Sequence, residues 1–149
     1  MGGYLRAAGQ VLLGAALAFA GISHLTVARR EFQAQVPDWF PIGADLVVVA
    51  SGVVEIGLGL ALLTVWRQPS RAVVGALTAA FFVVIFPGNV AQWLEHKDGF
   101  GLDTDTKRFV RLFFQPLLVV WALAVTQAVG TLRRRFSGAD RAGRGSVSP

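Results

Sequence analysis

The sequence predicts an all-α membrane protein: a transmembrane four-helix bundle with both termini cytoplasmic. Three observations carry that prediction. Four apolar runs recur along the chain, each about long enough to cross a hydrocarbon layer roughly 30 Å thick. Charged residues are only 15% of the 149 and mean hydropathy is +0.55, where soluble domains carry roughly 25% charge. The loops between the runs also differ in their basic residues, in the manner that orients membrane proteins. The chain has no cysteine, which excludes disulfides, thiolate metal sites and dithiol redox chemistry. Five arginines beyond residue 132 account for much of the net charge of +5. They speak for membrane orientation or contact with anionic headgroups. No basic face interleaved with aromatics argues for nucleic acid, so none is expected as a partner.

The first helix is expected over about residues 5–25, where no charge falls between Arg6 and His24. Arg6 and the small triplet Ala18-Phe19-Ala20 also fit a cleavable signal peptide, but losing this run would leave an odd number of spans. Residues 29–43 follow, with Phe32, Val36, Trp39 and Phe40 spaced around Pro37 and Pro41. They read as an interfacial segment or an ordered loop, with Trp39 at headgroup level. The second helix spans about 44–66 and is interrupted only by Ser51, Glu55 and Thr64. After the turn Arg67-Gln68-Pro69-Ser70-Arg71, the third spans about 71–94 and contains Pro87-Gly88-Asn89. A proline there removes a backbone hydrogen bond, and its neighbours need other partners, for which Asn89 and Gln92 are candidates.

The next connection holds Glu95, Asp98, Asp103 and Asp105. It lacks the ordered acid pattern of a calcium loop, so no metal site is expected. The fourth helix spans about 108–132, with Pro116 in its first turns, and ends at Arg133-Arg134-Arg135. Residues 1–136 thus form one four-span domain, and 137–149 are expected to be a disordered basic tail. Four spans put both termini on one side. The short turn and the tail share that side with Arg6, and their basic residues face just one acid, Asp140. That places it in the cytoplasm.

Glu55 is the costly residue. A helical rise of about 1.5 Å per residue puts it roughly 15 Å below Asp45, near mid-bilayer. Ser51, Glu55 and Gly59 share one face, flanked by Gly52. Small residues let another helix approach, so this face is expected to point into the bundle. Helix one offers the stripe Gly14, Leu17, Gly21 and His24. Helix three offers Asn89 and Gln92, and helix four offers Arg111 and Gln115. Together Glu55, His24, Asn89, Gln92, Arg111 and Gln115 are the expected wall of an outward-facing polar pocket. Glu55 is its floor, and His24 or Arg111 is the cationic partner. The plainer alternative is that Glu55 is packing glue, His24 caps a helix end, Arg111 snorkels to headgroups and Asn89 mends the proline kink.

Five motifs in order carry a resemblance. They are Gly-x-x-His-Leu at Gly21 to Leu25, Val36-Pro37, Gly-x-x-Glu-x-Gly-x-Gly-Leu at Gly52 to Leu60, Phe-Pro-Gly-Asn at Phe86 to Asn89, and Arg-x-x-x-Gln-Pro-Leu at Arg111 to Leu117. Over about residues 5–132 the chain resembles the DoxX and DoxX-like family of small four-helix membrane proteins. The resemblance implies His24, Glu55, Pro87, Asn89 and Gln115 as the matching positions. It further implies an accessory, non-catalytic subunit of a membrane oxidoreductase, with quinone as the candidate cofactor and another membrane or redox protein as partner. More distant relatives imply the alternative, a chaperone or assembly protein that holds another membrane protein by its small-residue helix faces. Any thiol-based redox role in the wider family cannot transfer to a chain without cysteine.

Overall fold

The computed structural model describes residues 2–144, with side chains as far as residue 137. Seven helices follow one another: α1 (Gly3–Leu25), α2 (Arg29–Gln33), α3 (Ala44–Thr64), α4 (Ser70–Leu94), α5 (Asp105–Leu112), α6 (Phe114–Thr126) and α7 (Ala128–Arg144). No strand occurs among the described residues. α1, α3, α4 and the α5–α6 pair are each long and apolar enough to cross a membrane. The protein is therefore a multi-pass membrane bundle whose exposed apolar side chains contact lipid.

The spans stand in a ring in which α1 packs on α3, α3 on α4, α4 on α6, and α6 on α1. The α1–α3 contact is the most extensive, because glycines face each other across it. A methyl group at Gly21 would lie 2.5 Å from the Gly52 carbonyl, and one at Gly14 would lie 2.9 Å from the Gly59 carbonyl. Such backbone-to-backbone approach is the usual way membrane helices bind without a hydrophobic driving force. Leu13, Leu17, Leu62, Ala79, Phe82, Ala122 and Val125 fill the centre. By contrast α3 and α4 touch least of all the neighbouring spans, although the shortest connection joins them.

The fourth span is not one helix. Phe113 breaks it from α5, three residues before Pro116, so the proline sits in the first turn of α6, where a missing N–H costs nothing. It ends at Gln127, which is left-handed (φ 57°). α7 then continues in helix to Arg144, across the first part of the segment expected to be disordered. Its arginines and alanines are good helix formers. Residues 145–149 of that expected tail lie outside the described residues.

The even number of spans brings α1's start and α7 to one end, called here the terminal end. There the buried side chain of Gln10 donates to the carbonyls of Leu62 (2.7 Å) and Val65 (3.2 Å) at the end of α3. Arg71 donates to Gln10 Oε1 (2.6 Å) and to the Val125 carbonyl (2.7 Å). Gln68 donates to the Thr126 carbonyl (2.9 Å), and Trp121 donates to the Gly9 carbonyl (3.1 Å). All but the Arg71–Gln10 bond satisfy a backbone group, most of them helix-end carbonyls with no intrahelical partner, and Arg71 places its charge at the negative end of α6.

At the opposite, distal end the two long connections knit together. Arg29 holds Asp45 through two hydrogen bonds (2.7 and 2.5 Å). Lys97 reaches Asp38, Glu95 (2.7 Å each) and the Val36 carbonyl (2.9 Å). Burial pulls the Lys97 ammonium down, but those two carboxylates more than offset it, and its pKa lies above the ordinary lysine value. Buried Arg108 pairs with Asp98 and Asp105 and donates to the Lys97 carbonyl. Glu95, Asp98, Asp103 and Asp105 are thus engaged by lysine, arginine and His96. The segment read as interfacial or as an ordered loop forms an ordered cap, with Trp39 exposed at its edge.

Candidate functional site

Under this cap, in the distal half of the ring, lies a cavity of about 520 Å³. Its wall is mostly apolar, from residues such as Leu17, Val48, Phe82 and Leu118, and Phe32 and Val36 close it from above. It fills the space that α3 and α4 leave between them. Val47 on α3 and Val84 on α4 both border it and Val84 is exposed, so the cavity is continuous with the lipid-facing surface.

Five of the six residues singled out from the sequence stand on this wall: His24, Glu55, Asn89, Arg111 and Gln115. Gln92 does not. It is buried under the distal cap, where its amide donates to the Lys97 carbonyl (3.4 Å). The helical stripes explain the convergence. His24 ends the α1 face that carries Gly14, Leu17 and Gly21, and its Cβ is what a methyl group at Gly52 would meet, at 2.7 Å. The close α1–α3 contact therefore sets the imidazole beside Glu55, one turn from Gly52.

Between the two candidate partners of Glu55, the geometry selects His24. Its Nδ1 lies 3.4 Å from Glu55 Oε2, with both side chains more than nine-tenths buried. The same nitrogen lies 3.1 Å from Ser51 Oγ, which itself donates to the Val48 carbonyl (3.0 Å). Arg111 is held elsewhere. Its guanidinium stacks on Phe100. With the Gln35 amide turned to present its oxygen, Gln35 accepts from Nη1 and Nη2 at 3.0 and 2.6 Å. Gln35 is placed by Gly88, where no side chain keeps its backbone off α4.

The carbonyl that loses its partner to Pro87 is that of Val83, four residues earlier. Neither Asn89, which donates to Gln115 Oε1 (2.9 Å), nor Gln92, which donates to the Lys97 carbonyl, reaches it. Gln115, from α6, instead donates to the Phe82 carbonyl (2.7 Å), in the turn before the proline.

Three buried polar atoms here have no hydrogen-bond partner: His24 Nε2, Glu55 Oε2 and Asn89 Oδ1. In an apolar setting each such atom costs on the order of 1–3 kcal/mol unless something pairs with it. Sequence reasoning missed Ser51's contact with His24 and the role of Gln35. Ser51 was visible on the Glu55 face, but Gln35 lies in a loop without periodicity and gave no signal.

No curated protein and no solved structure matches the chain. A family model does match residues 13–126, the stretch that holds every residue of the cavity wall. The chain belongs to that family, described as Domain of unknown function (DUF8561).

Proposed function

We propose that this protein is an accessory, non-catalytic subunit of a redox or quinone-linked system in the cell membrane. With both termini cytoplasmic, its cavity lies in the outer half of the bilayer and holds the polar head of a small amphiphile. The observation that carries this reading is the cavity itself: about 520 Å³, largely apolar, with His24, Glu55, Asn89, Arg111 and Gln115 on one wall. That is the usual form of a small-molecule site, and an intramembrane carboxylate is by default a functional one. The redox assignment rests on the DoxX-like motifs around those residues. Glu55 accepts or releases a proton at the head, and His24 is its partner.

The chaperone alternative would need its small-residue helix faces free. Gly14, Gly21, Gly52 and Gly59 are instead occupied in the α1–α3 contact, so the subunit reading is preferred.

The test is titration of the purified protein in nanodiscs with a short-chain quinone and its reduced form, followed by tryptophan fluorescence. Saturable binding of at least one form supports the proposal. Glu55→Gln is expected to weaken that binding about tenfold. Absence of binding by either form overturns the reading, and unchanged binding in Glu55→Gln removes the role of Glu55.

A further inference from the structure

The hydrogen-bond network around the cavity has a direction, and it ends in acceptors. A backbone carbonyl can only accept. The Phe82 carbonyl therefore fixes the Gln115 amide with its nitrogen inward. Gln115 Oε1 then faces Asn89 and must receive a donor, which fixes Asn89 Nδ2 on it. That leaves Asn89 Oδ1, an acceptor, buried and unpaired.

The α1–α3 side runs the same way. The Val48 carbonyl takes the Ser51 hydroxyl proton, so Ser51 Oγ offers a lone pair to His24 Nδ1. Glu55 Oε2 offers a second lone pair to the same nitrogen. A proton on Nδ1 serves both neighbours, so neutral His24 carries its proton there and Nε2 is bare. The acceptors left without a donor are therefore His24 Nε2 and Asn89 Oδ1, on two residues that are each more than nine-tenths buried on the cavity wall, with the Glu55 carboxyl beside them.

We infer that the cavity selects an amphiphile whose head donates hydrogen bonds, a phenol- or hydroquinone-type hydroxyl head, over the corresponding carbonyl head. A carbonyl head can only accept and leaves these acceptors unpaired, whereas a hydroxyl donates to one of them. Sites built to bond a substrate hydroxyl reject analogues lacking it far more strongly than apolar pockets reject a changed methylene. This inference rests on the proposed amphiphile site and adds which oxidation state of a redox lipid that site holds.

The experiment uses the full chain in nanodiscs and three probes with the same alkyl chain: dodecylhydroquinone kept reduced under argon, its dimethyl ether, and dodecylbenzoquinone. The hydroquinone is expected to bind at least about tenfold more tightly than either of the others. Asn89→Leu should cut that preference to below about threefold. Glu55→Gln should shrink it too, and serves if the Asn89 variant is not monodisperse. Nitrogen-15 spectra should show His24 protonated at Nδ1, with an Nε2 shift that moves when hydroquinone is added. Equal binding of all three probes, or an Nε2-protonated His24, overturns the inference while leaving the amphiphile site standing. Failure of all three to bind overturns the site itself.

Discussion

The two ends of this bundle use the same kinds of residue to opposite effect. At the terminal end, Gln10, Gln68 and Arg71 meet backbone carbonyls at α-helix ends, and their hydrogen bonds close on themselves. The distal cavity does not reach Gln10 or Arg71. At the distal end, His24, Glu55, Asn89 and Gln115 also meet one another, but their network stops short and leaves three atoms unpaired beside an open space. A polar network that is complete holds helices together. One that is incomplete, in the same hydrocarbon, costs stability and is retained for something else.

The contrast predicts that the ends respond differently to substitution. The largest loss of stability should come from Gln10→Leu. It strips Arg71 of an acceptor and the Leu62 and Val65 carbonyls of a donor, and should cost about 2–3 kcal/mol in a reversible detergent-unfolding titration. Ligand binding at the distal cavity should be unaffected, and a parallel loss of binding would show that the two ends are not separate. Next is Gln115→Leu, which frees the Phe82 carbonyl and Asn89 Nδ2. Here about 1–2 kcal/mol of stability should go together with a marked loss of amphiphile binding.

A smaller stability change, within about 1 kcal/mol, is expected for Glu55→Gln, because an incomplete network has less to lose. A loss as large as that of Gln10→Leu would mean Glu55 is structural glue and would dissolve the comparison. Smallest is Ser51→Ala, at about 0.5 kcal/mol. Its informative readout is spectroscopic, since the His24 tautomer should become mixed once Ser51 no longer holds Nδ1.

The sequence disclosed the distal end better than the terminal one. Hydropathy alone located the first three spans to within a few residues, because lipid demands about twenty apolar residues per crossing, but set the end of the fourth at 132 where the apolar helix stops at Thr126. Glu55 announced itself by its cost, and stripes at intervals of three and four found His24, Asn89, Arg111 and Gln115. Gln10 belongs to the same stripe as Gly14, Leu17, Gly21 and His24, one turn earlier, and extending the stripe would have found it. Arg71 was harder to see. Its charge fitted the positive side of a membrane, and nothing local reveals that its guanidinium turns inward to Gln10 and Val125. Gln92 shares a polar turn with Asn89 but points to the cap, because position along a helix does not fix which of two adjacent faces meets the cavity. The break at Gln127 was invisible, since a left-handed glutamine has no sequence signature comparable to glycine's.

The glycine contact between α1 and α3 also has a consequence for biogenesis. The chain is made from its N-terminus, so α1 is in place before Glu55 leaves the ribosome. The two helices are successive spans joined by one connection, and their contact needs no later part of the chain. The imidazole that Glu55 meets is carried on the helix synthesised before it, set there by the fit of Gly21 against Gly52. A carboxylate that would be expensive to insert alone thus enters the bilayer as half of a pair, before the residues that complete its cavity exist.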